Sequence, residues 1–486
     1  LETSVNKQHA THEGGGYRRI GLGALALTAL LSACGGSDPE PEPVRPQDSR
    51  IFKPVIETGF AALPGSSVET DRWVGVLNGS AYRIEVPKNW NGRLVMWAHG
   101  YAGTGEALTV GNPIMRRHLV ENGFAWAASS YSKNYYDVRA GVEDTNALAL
   151  AFNKIAAEKG RTLAAPSKIF ITGISMGGHI AAAAIEKEAL ENAVNKVSYN
   201  GAVPMCGVVG DNALFNYFGG YQLAAMQLAG VGATSFPVSD WAAKAPVIQA
   251  ALWSRFPTQS NAQGDRLKAI VMNMTGGPRP FYAEGWADPA NQGNVWASLG
   301  GDGTINGILN ANVLDTTGIT YRFETTSGTL SAAEQSFNAG LLKISAVADA
   351  NRQRRDGLRW IPQVNGEFSV PVVTIHTLGD LFVPFHMEQV YRQRATAKGN
   401  DKWLVQRAIR DVGHCAFTAA EAASAFNAMV QWEAGGAKPA GDDVLTPATL
   451  ADGRYGCSFT NNTPSLEDYT PPAVRAAHQA KYPACN

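Results

Sequence analysis

The stretch Lys168-Ile169-Phe170-Ile171-Thr172-Gly173-Ile174-Ser175-Met176-Gly177-Gly178 reads as a buried strand that runs into a helix through a serine held between glycines. Residues 169–172 are β-branched or aromatic, the composition of a short buried strand. Residues 179–190 are Ala-rich with apolar positions at helical spacing, which predicts a helix. A Gly-x-Ser-x-Gly in that setting is a nucleophile elbow, a tight turn that strains the serine backbone and exposes its Oγ. Gly173 and Gly177 bring no Cβ, so the segments flanking the turn can approach closely. The helix that starts after Ser175 leaves the Met176 N–H unpaired, and that amide and the helix dipole both favour negative charge at the serine. Without the strand and the helix, the same five residues would be an ordinary turn.

Upstream, short alternating segments at 73–76 and 82–86 predict an antiparallel edge. An apolar strand over 94–98 ends in His99-Gly100-Tyr101-Ala102-Gly103, followed by a helix over 114–121, a strand over 124–128 and a long helix over 138–158. Downstream, strands are predicted at 203–205, 371–375 and 404–409. Strands alternating with helices argue for an α/β fold with a mostly parallel central sheet and helices on both faces.

A chain of 486 residues exceeds one small core, which predicts one large domain with an insertion, or two domains. The formal charge of −1 offers no electrostatic footprint for a nucleic-acid partner. With 51 Gly and 25 Pro the chain is rich in turns, yet 11 Trp, 15 Tyr and 18 Phe require a large interior, which excludes disorder. Arg18 and Arg19 precede an apolar run over 20–31 and then Leu31-Ser32-Ala33-Cys34. This is the layout of a secretory signal over 1–33, too short to span a bilayer. The small residues before the cysteine resemble a bacterial lipobox, which implies a lipid on Cys34 and membrane anchoring. Gly35, with no Asp after the cysteine, favours the outer membrane by the same resemblance; simple secretion is the alternative. Residues 34–50 are rich in Pro and Glu and read as an extended tether.

Four pieces appear in one order: His-Gly-Tyr-Ala-Gly (99–103), Gly-Ile-Ser-Met-Gly-Gly (173–178), Gly-Asp-Leu-Phe-Val-Pro (379–384) and Asp-Val-Gly-His-Cys (411–415). On these the chain resembles the α/β-hydrolase superfamily, whose order is serine, acid, histidine. The likeness spans about 65–211 and 368–435, and within the superfamily it is similar to secreted bacterial esterases and polyester depolymerases. Feruloyl esterases and tannases also tie a His-Cys pair by a disulfide, but to a cysteine just before the nucleophile, where this chain has Ile174. The resemblance implies a core over 51–211 and 368–486 and a mainly helical lid over 212–367, with helices near 213–228, 241–253 and 332–355. The lid's aromatic clusters, Phe215, Tyr217, Phe218, Tyr221 and Phe281, Tyr282, Trp286, would shape an apolar pocket or simply form the lid's own core.

Ser175 then reads as nucleophile, a role that needs an imidazole within hydrogen-bond reach. Of nine histidines, His414 follows the last strand on a loop that can reach the elbow, with His386 and His376 as alternatives. Asp380, on the loop after the 371–375 strand, is the candidate acid, with Asp411 its rival. The oxyanion hole would be the Met176 N–H and, by resemblance, the Tyr101 N–H, with Ala102 second. A dehalogenase or epoxide hydrolase on this fold would carry Asp at the elbow, so Ser175 excludes both. Gly300-Gly301-Asp302-Gly303-Thr304 lacks the lysine of a phosphate loop and reads as a turn, and no side-chain cluster has metal-ligand spacing. Apart from Cys34, the cysteines are Cys206, Cys415, Cys457 and Cys485, which predict two disulfides. A bond from Cys415 to Cys206 or Cys457 would hold the histidine loop, and the favoured pairing is Cys206–Cys415 with Cys457–Cys485. The function these readings imply is a cofactor-free serine hydrolase of small-molecule or polymeric esters with a bulky, apolar or aromatic group. An amidase or peptidase with the same residues, or a non-catalytic ligand-binding lipoprotein, are the alternatives.

Overall fold

Apolar residues on the central strands divide between two faces, and a core forms on each. On the strand over Arg93–Ala98, Leu94, Met96 and Ala98 join one apolar cluster while Val95 and Trp97 join the other. That is the alternation of a sheet covered on both sides. In this computed structural model the described residues are 42–301, 307–465, 467–468 and 471–485. The predicted signal over 1–33, Cys34 and part of the turn at 300–304 lie outside them.

The main sheet has eight strands. They are β1 (Thr70–Leu77), β2 (Ser80–Pro87), β3 (Arg93–Ala98), β4 (Ala125–Ser129), β5 (Lys168–Ile174), β6 (Gly201–Met205), β7 (Val372–Thr377) and β8 (Leu404–Ile409). Their spatial order is β1-β2-β4-β3-β5-β6-β7-β8. The pairs β1/β2 and β2/β4 are antiparallel and every later pair is parallel. On one face lie α2 (Val138–Glu158) and α3 (Met176–Ala183); on the other lies α1 (Arg116–Glu121), joined further along the chain by the helix over Ala419–Glu433. Val44–Asn486 form one compact unit. Among the described residues no helix is long and apolar enough to cross a membrane.

Three local expectations change. The helix predicted over 179–190 is two, α3 and α4 (Lys187–Asn192). Glu186 interrupts it, because its carboxylate accepts the Gly366 and Glu367 amides (2.9 and 2.7 Å). The tether predicted over 34–50 is docked from residue 44: Arg45 is buried, donates to Asp137 (2.6 Å) and stacks on Trp360. A guanidinium that finds a buried carboxylate and an aromatic face gains more from docking than from water.

Between β6 and β7 the chain forms α5 (Asn212–Leu228), α6 (Trp241–Leu252), α7 (Ala262–Met274), α8 (Tyr282–Ala287), α9 (Pro289–Ala297) and α10 (Ala332–Gly340). The helix predicted over 332–355 therefore stops early, since beyond it Ile344 exchanges hydrogen bonds with Thr316 instead of continuing the turn. Tyr221, Trp253, Trp286 and Trp296 pack ring against ring, so these aromatics are the segment's own core. Tyr217 and Phe218 instead face the loop after β7: Tyr217 donates to Leu381 O (2.8 Å) and Phe218 packs on Phe382.

Candidate active site

Ser175 sits between β5 and α3 with φ +56° and ψ −122°, a backbone conformation that costs energy for any side chain but glycine. The surroundings enforce it. A Cβ on Gly173 would lie 2.2 Å from Gly177 O, so only glycine lets strand and helix meet there. The Ser175 N–H donates to Met205 O on β6 (3.0 Å), which ties the turn to the neighbouring strand. Met176 is the first residue of α3, so its N–H has no partner inside the helix. Gly100 packs against the serine, an added Cβ there lying 3.3 Å from Ser175 Cβ. Its loop is held by Tyr131, whose hydroxyl donates to His99 O (2.9 Å) and whose ring stacks on His99. Tyr131 has no sequence motif that would single it out.

His414 and Asp380 arrive from the loops after β8 and β7. Ser175 Oγ donates to His414 Nε2 (2.8 Å), and His414 Nδ1 donates to Asp380 Oδ2 (2.6 Å). The other carboxylate oxygen, Oδ1, accepts the amides of Phe382 and Val383 (2.9 Å each). These bonds assign the tautomer: Nδ1 carries the proton and Nε2 is free to accept one. The serine stands on a strained turn after the fifth strand, with its two partners on the loops after β7 and β8. The chain has the α/β-hydrolase fold.

No family model matches the chain. It is 24% identical over 400 residues to the o-phthalyl amidase of Xanthobacter agilis, covering 73% of this chain and 85% of that one. Similar solved structures include feruloyl esterase B from Aspergillus oryzae, with a TM-score of 0.42, 16% identity and coverage of 80% and 85% of the two chains. Another is an esterase from the same organism, with a TM-score of 0.43, 12% identity and coverage of 76% and 81%.

The other histidines of this hydrolase fold are engaged elsewhere. His376 is fully buried on β7, bonded to Val383 O (2.7 Å) and Glu388 (3.3 Å). Burial opposes its protonation, but Glu388 and Asp380 outweigh burial and raise its pKa. His386 opens α11 (His386–Ala397), and burial pushes it down to about 3. Burial also lowers His179, which bonds the Tyr136 hydroxyl and Pro362 O, away from Ser175. Asp411 pairs with Arg475 (3.3 Å) and not with His414.

Both disulfides pair as favoured, Cys206–Cys415 and Cys457–Cys485. Ile174 aligns with Met205 across β5 and β6, so Cys206, the next residue, lies one strand over from Ser175 itself. The bridge therefore reaches the His414 loop from β6. Cys206, His414 and Cys415 lie close enough to suggest a metal cluster, but both sulfurs are spent in the bridge and are not thiolate ligands. The bridge spans 209 residues of sequence. Replacing both cysteines with serine is expected to cost about 2–5 kcal/mol, measurable by urea unfolding. An unchanged unfolding midpoint would show that the loop holds its place without the bridge.

The segment between β6 and β7 also contacts the site. Phe382 meets the His414 ring edge to face with centroids 5.3 Å apart, and Phe218 backs it from α5. Arg279, buried, donates to Leu378 O (2.8 Å) just before the acid loop, and burial lowers its pKa to about 10. Motif reading missed Arg279, which belongs to no local pattern, whereas Phe382 lies in the quoted 379–384 piece and Phe218 in the first aromatic cluster.

Proposed function

We propose that the chain is a serine carboxylic-ester hydrolase that works through an acyl-enzyme without a cofactor. The observation that carries this is the continuous relay Ser175 Oγ, His414 and Asp380, with links of 2.8 and 2.6 Å. As Oγ attacks the ester carbonyl, its proton passes to His414 Nε2, and Asp380 stabilises the imidazolium that forms. The Met176 and Tyr101 N–H groups donate hydrogen bonds to the carbonyl oxygen as negative charge develops on it. His414 then gives its proton to the departing alkoxide. Water, deprotonated by the same nitrogen, repeats the sequence and frees the acid.

The amide reading keeps every step and changes only the leaving group. It is favoured by the similarity to the o-phthalyl amidase, which also suggests an aromatic acid as the acyl part. Phe382 and Phe218 supply an apolar wall beside His414 that suits a bulky or aromatic group. In this reading residues 212–367 act as a lid over the site, and residues 1–34 support export and anchoring through a lipid on Cys34.

Treatment with a fluorophosphonate probe, followed by mass spectrometry of the labelled peptide, tests the proposal. Label is expected on Ser175 and is expected to disappear in His414→Ala. Matched aryl ester and aryl amide panels then separate the two readings by kcat/KM. Absence of label on folded protein would sink the hydrolase assignment.

A further inference from the structure

We propose that Asn291 is a positioning residue, whose side-chain amide ties the loop carrying Asp380 to the loop carrying His414 and so sets the hydrogen bond between them. The inference rests on the reading of Ser175, His414 and Asp380 as the reacting relay.

Asn291 lies on α9, in the segment inserted between β6 and β7, and is 1% exposed. Its Nδ2 donates toward three backbone carbonyls: Gly285 O (3.2 Å), Gly379 O (3.1 Å) and Val412 O (3.0 Å). Gly379 directly precedes Asp380, and Val412 stands two residues before His414. The amide therefore bridges two loops that leave different strands. All three partners are acceptors, so the nitrogen and not the oxygen of the side chain must face them. Two protons serve three carbonyls, with the longest bond going to Gly285 on the neighbouring helix.

Two further contacts press the same place. A Cβ on Gly285 would lie 1.9 Å from Gly379 O, so the backbone of α8 rests directly on the acid loop. Arg279 holds Leu378 O from the other side of that residue. The inserted segment thus grips residues 378, 379 and 412, adding to the direct ties between the loops, Gly379 N–H to Asp411 O (2.9 Å) and Thr377 Oγ1 to Gly413 O (2.8 Å). The spacing of Asp380 and His414 decides how strongly the imidazolium is stabilised, and small displacements there are costly: about 1 Å can cost a hundredfold.

Asn291→Ala removes the amide and leaves room for water. Asn294→Ala, on the exposed side of the same helix, is the control. In protein labelled with 15N-histidine, the His414 Nδ1–H signal, assigned by its loss in His414→Gln, is recorded by NMR. A carboxylate held less closely accepts that proton less strongly, so the downfield Nδ1–H signal is expected to move upfield in Asn291→Ala and to stay in Asn294→Ala. Turnover per titrated active site is expected to drop about tenfold to a hundredfold, with KM within about twofold.

A purely structural role would lower the fraction of folded enzyme and leave the His414 Nδ1–H signal of the folded fraction in place. That result, or an unchanged turnover per active site, overturns the proposal. If Asn291→Ala does not fold, Asn291→Ser carries the same measurements, its side chain being polar but too short to reach both loops. The NMR measurement needs no turnover, so it stands apart from the fluorophosphonate test. Failure of that labelling removes the hydrolase reading, whereas an unmoved Nδ1–H signal removes the role of Asn291.

Discussion

Asparagine in place of Asp380 is expected to lower turnover by about four orders of magnitude while the chain stays folded. The reason is the orientation the backbone imposes. Oδ1 of Asp380 accepts the Phe382 and Val383 amides at 2.9 Å, and only an oxygen can sit there. An asparagine must therefore turn its NH2 toward His414. Nδ1 of the imidazole then becomes an acceptor, the ring proton moves to Nε2, and Nε2 faces Ser175 Oγ as a donor (2.8 Å in the present geometry). A base that already carries its proton cannot take one from the serine. The side-chain volume is nearly unchanged, so melting temperature and circular dichroism are expected to match the parent. The check is kcat/KM on an aryl ester beside the unfolding curve. Activity within tenfold of the parent would place the acid elsewhere, with Asp411 the first candidate to examine.

Gly177→Ala is expected to be as severe through packing alone. A Cβ there would lie 2.0 Å from Ala98 O and 2.6 Å from His99 O, backbone atoms that no rotamer change can move aside. The start of α3 would have to withdraw from the end of β3, carrying Ser175 and the Met176 amide away from the loop over 99–101. Overpacking of this kind typically costs about 1–3 kcal/mol, and a clash with two successive backbone carbonyls belongs at or above the upper end. Against a total stability of roughly 5–15 kcal/mol, the variant is expected to be poorly soluble or to melt well below the parent. Any folded fraction is expected to lose about a hundredfold or more in turnover, because the nucleophile is misplaced. Gly105→Ala, where an added Cβ meets nothing within 4 Å, is the matched control and is expected to be neutral. Parent-like melting and activity in Gly177→Ala would mean that the helix does not press on β3.

Much of the fold was legible because its signals are local. Runs such as 404–409 and 138–158 appear with those bounds, because a covered parallel strand needs consecutive apolar residues and a surface helix needs a stripe. Helix ends were less legible. The break at Glu186 depends on amides at Gly366 and Glu367, and the early stop of α10 depends on Thr316, all distant in sequence. The docked stretch after residue 44 was read as a tether because composition does not reveal that Asp137 and Trp360 await Arg45.

At the site the division is similar. Ser175, Asp380 and His414 could be read from short motifs because each stands at a strand end with its glycines or its cysteine beside it. The place of Cys415 beside His414 also pointed to a bridge from that loop, to Cys206 or to Cys457. Tyr131, Arg279 and Asn291 carry no such mark. Asn291 meets Gly379 and Val412 across 88 and 121 residues of chain, and nothing in the neighbourhood of any of the three announces it. By itself the sequence determined on which kind of turn the candidate side chains Ser175, Asp380 and His414 stand, since backbone preferences act over a few residues. Only the tertiary structure decided what holds those side chains at hydrogen-bond distance, since buried carbonyls take whichever donor the packing brings to them.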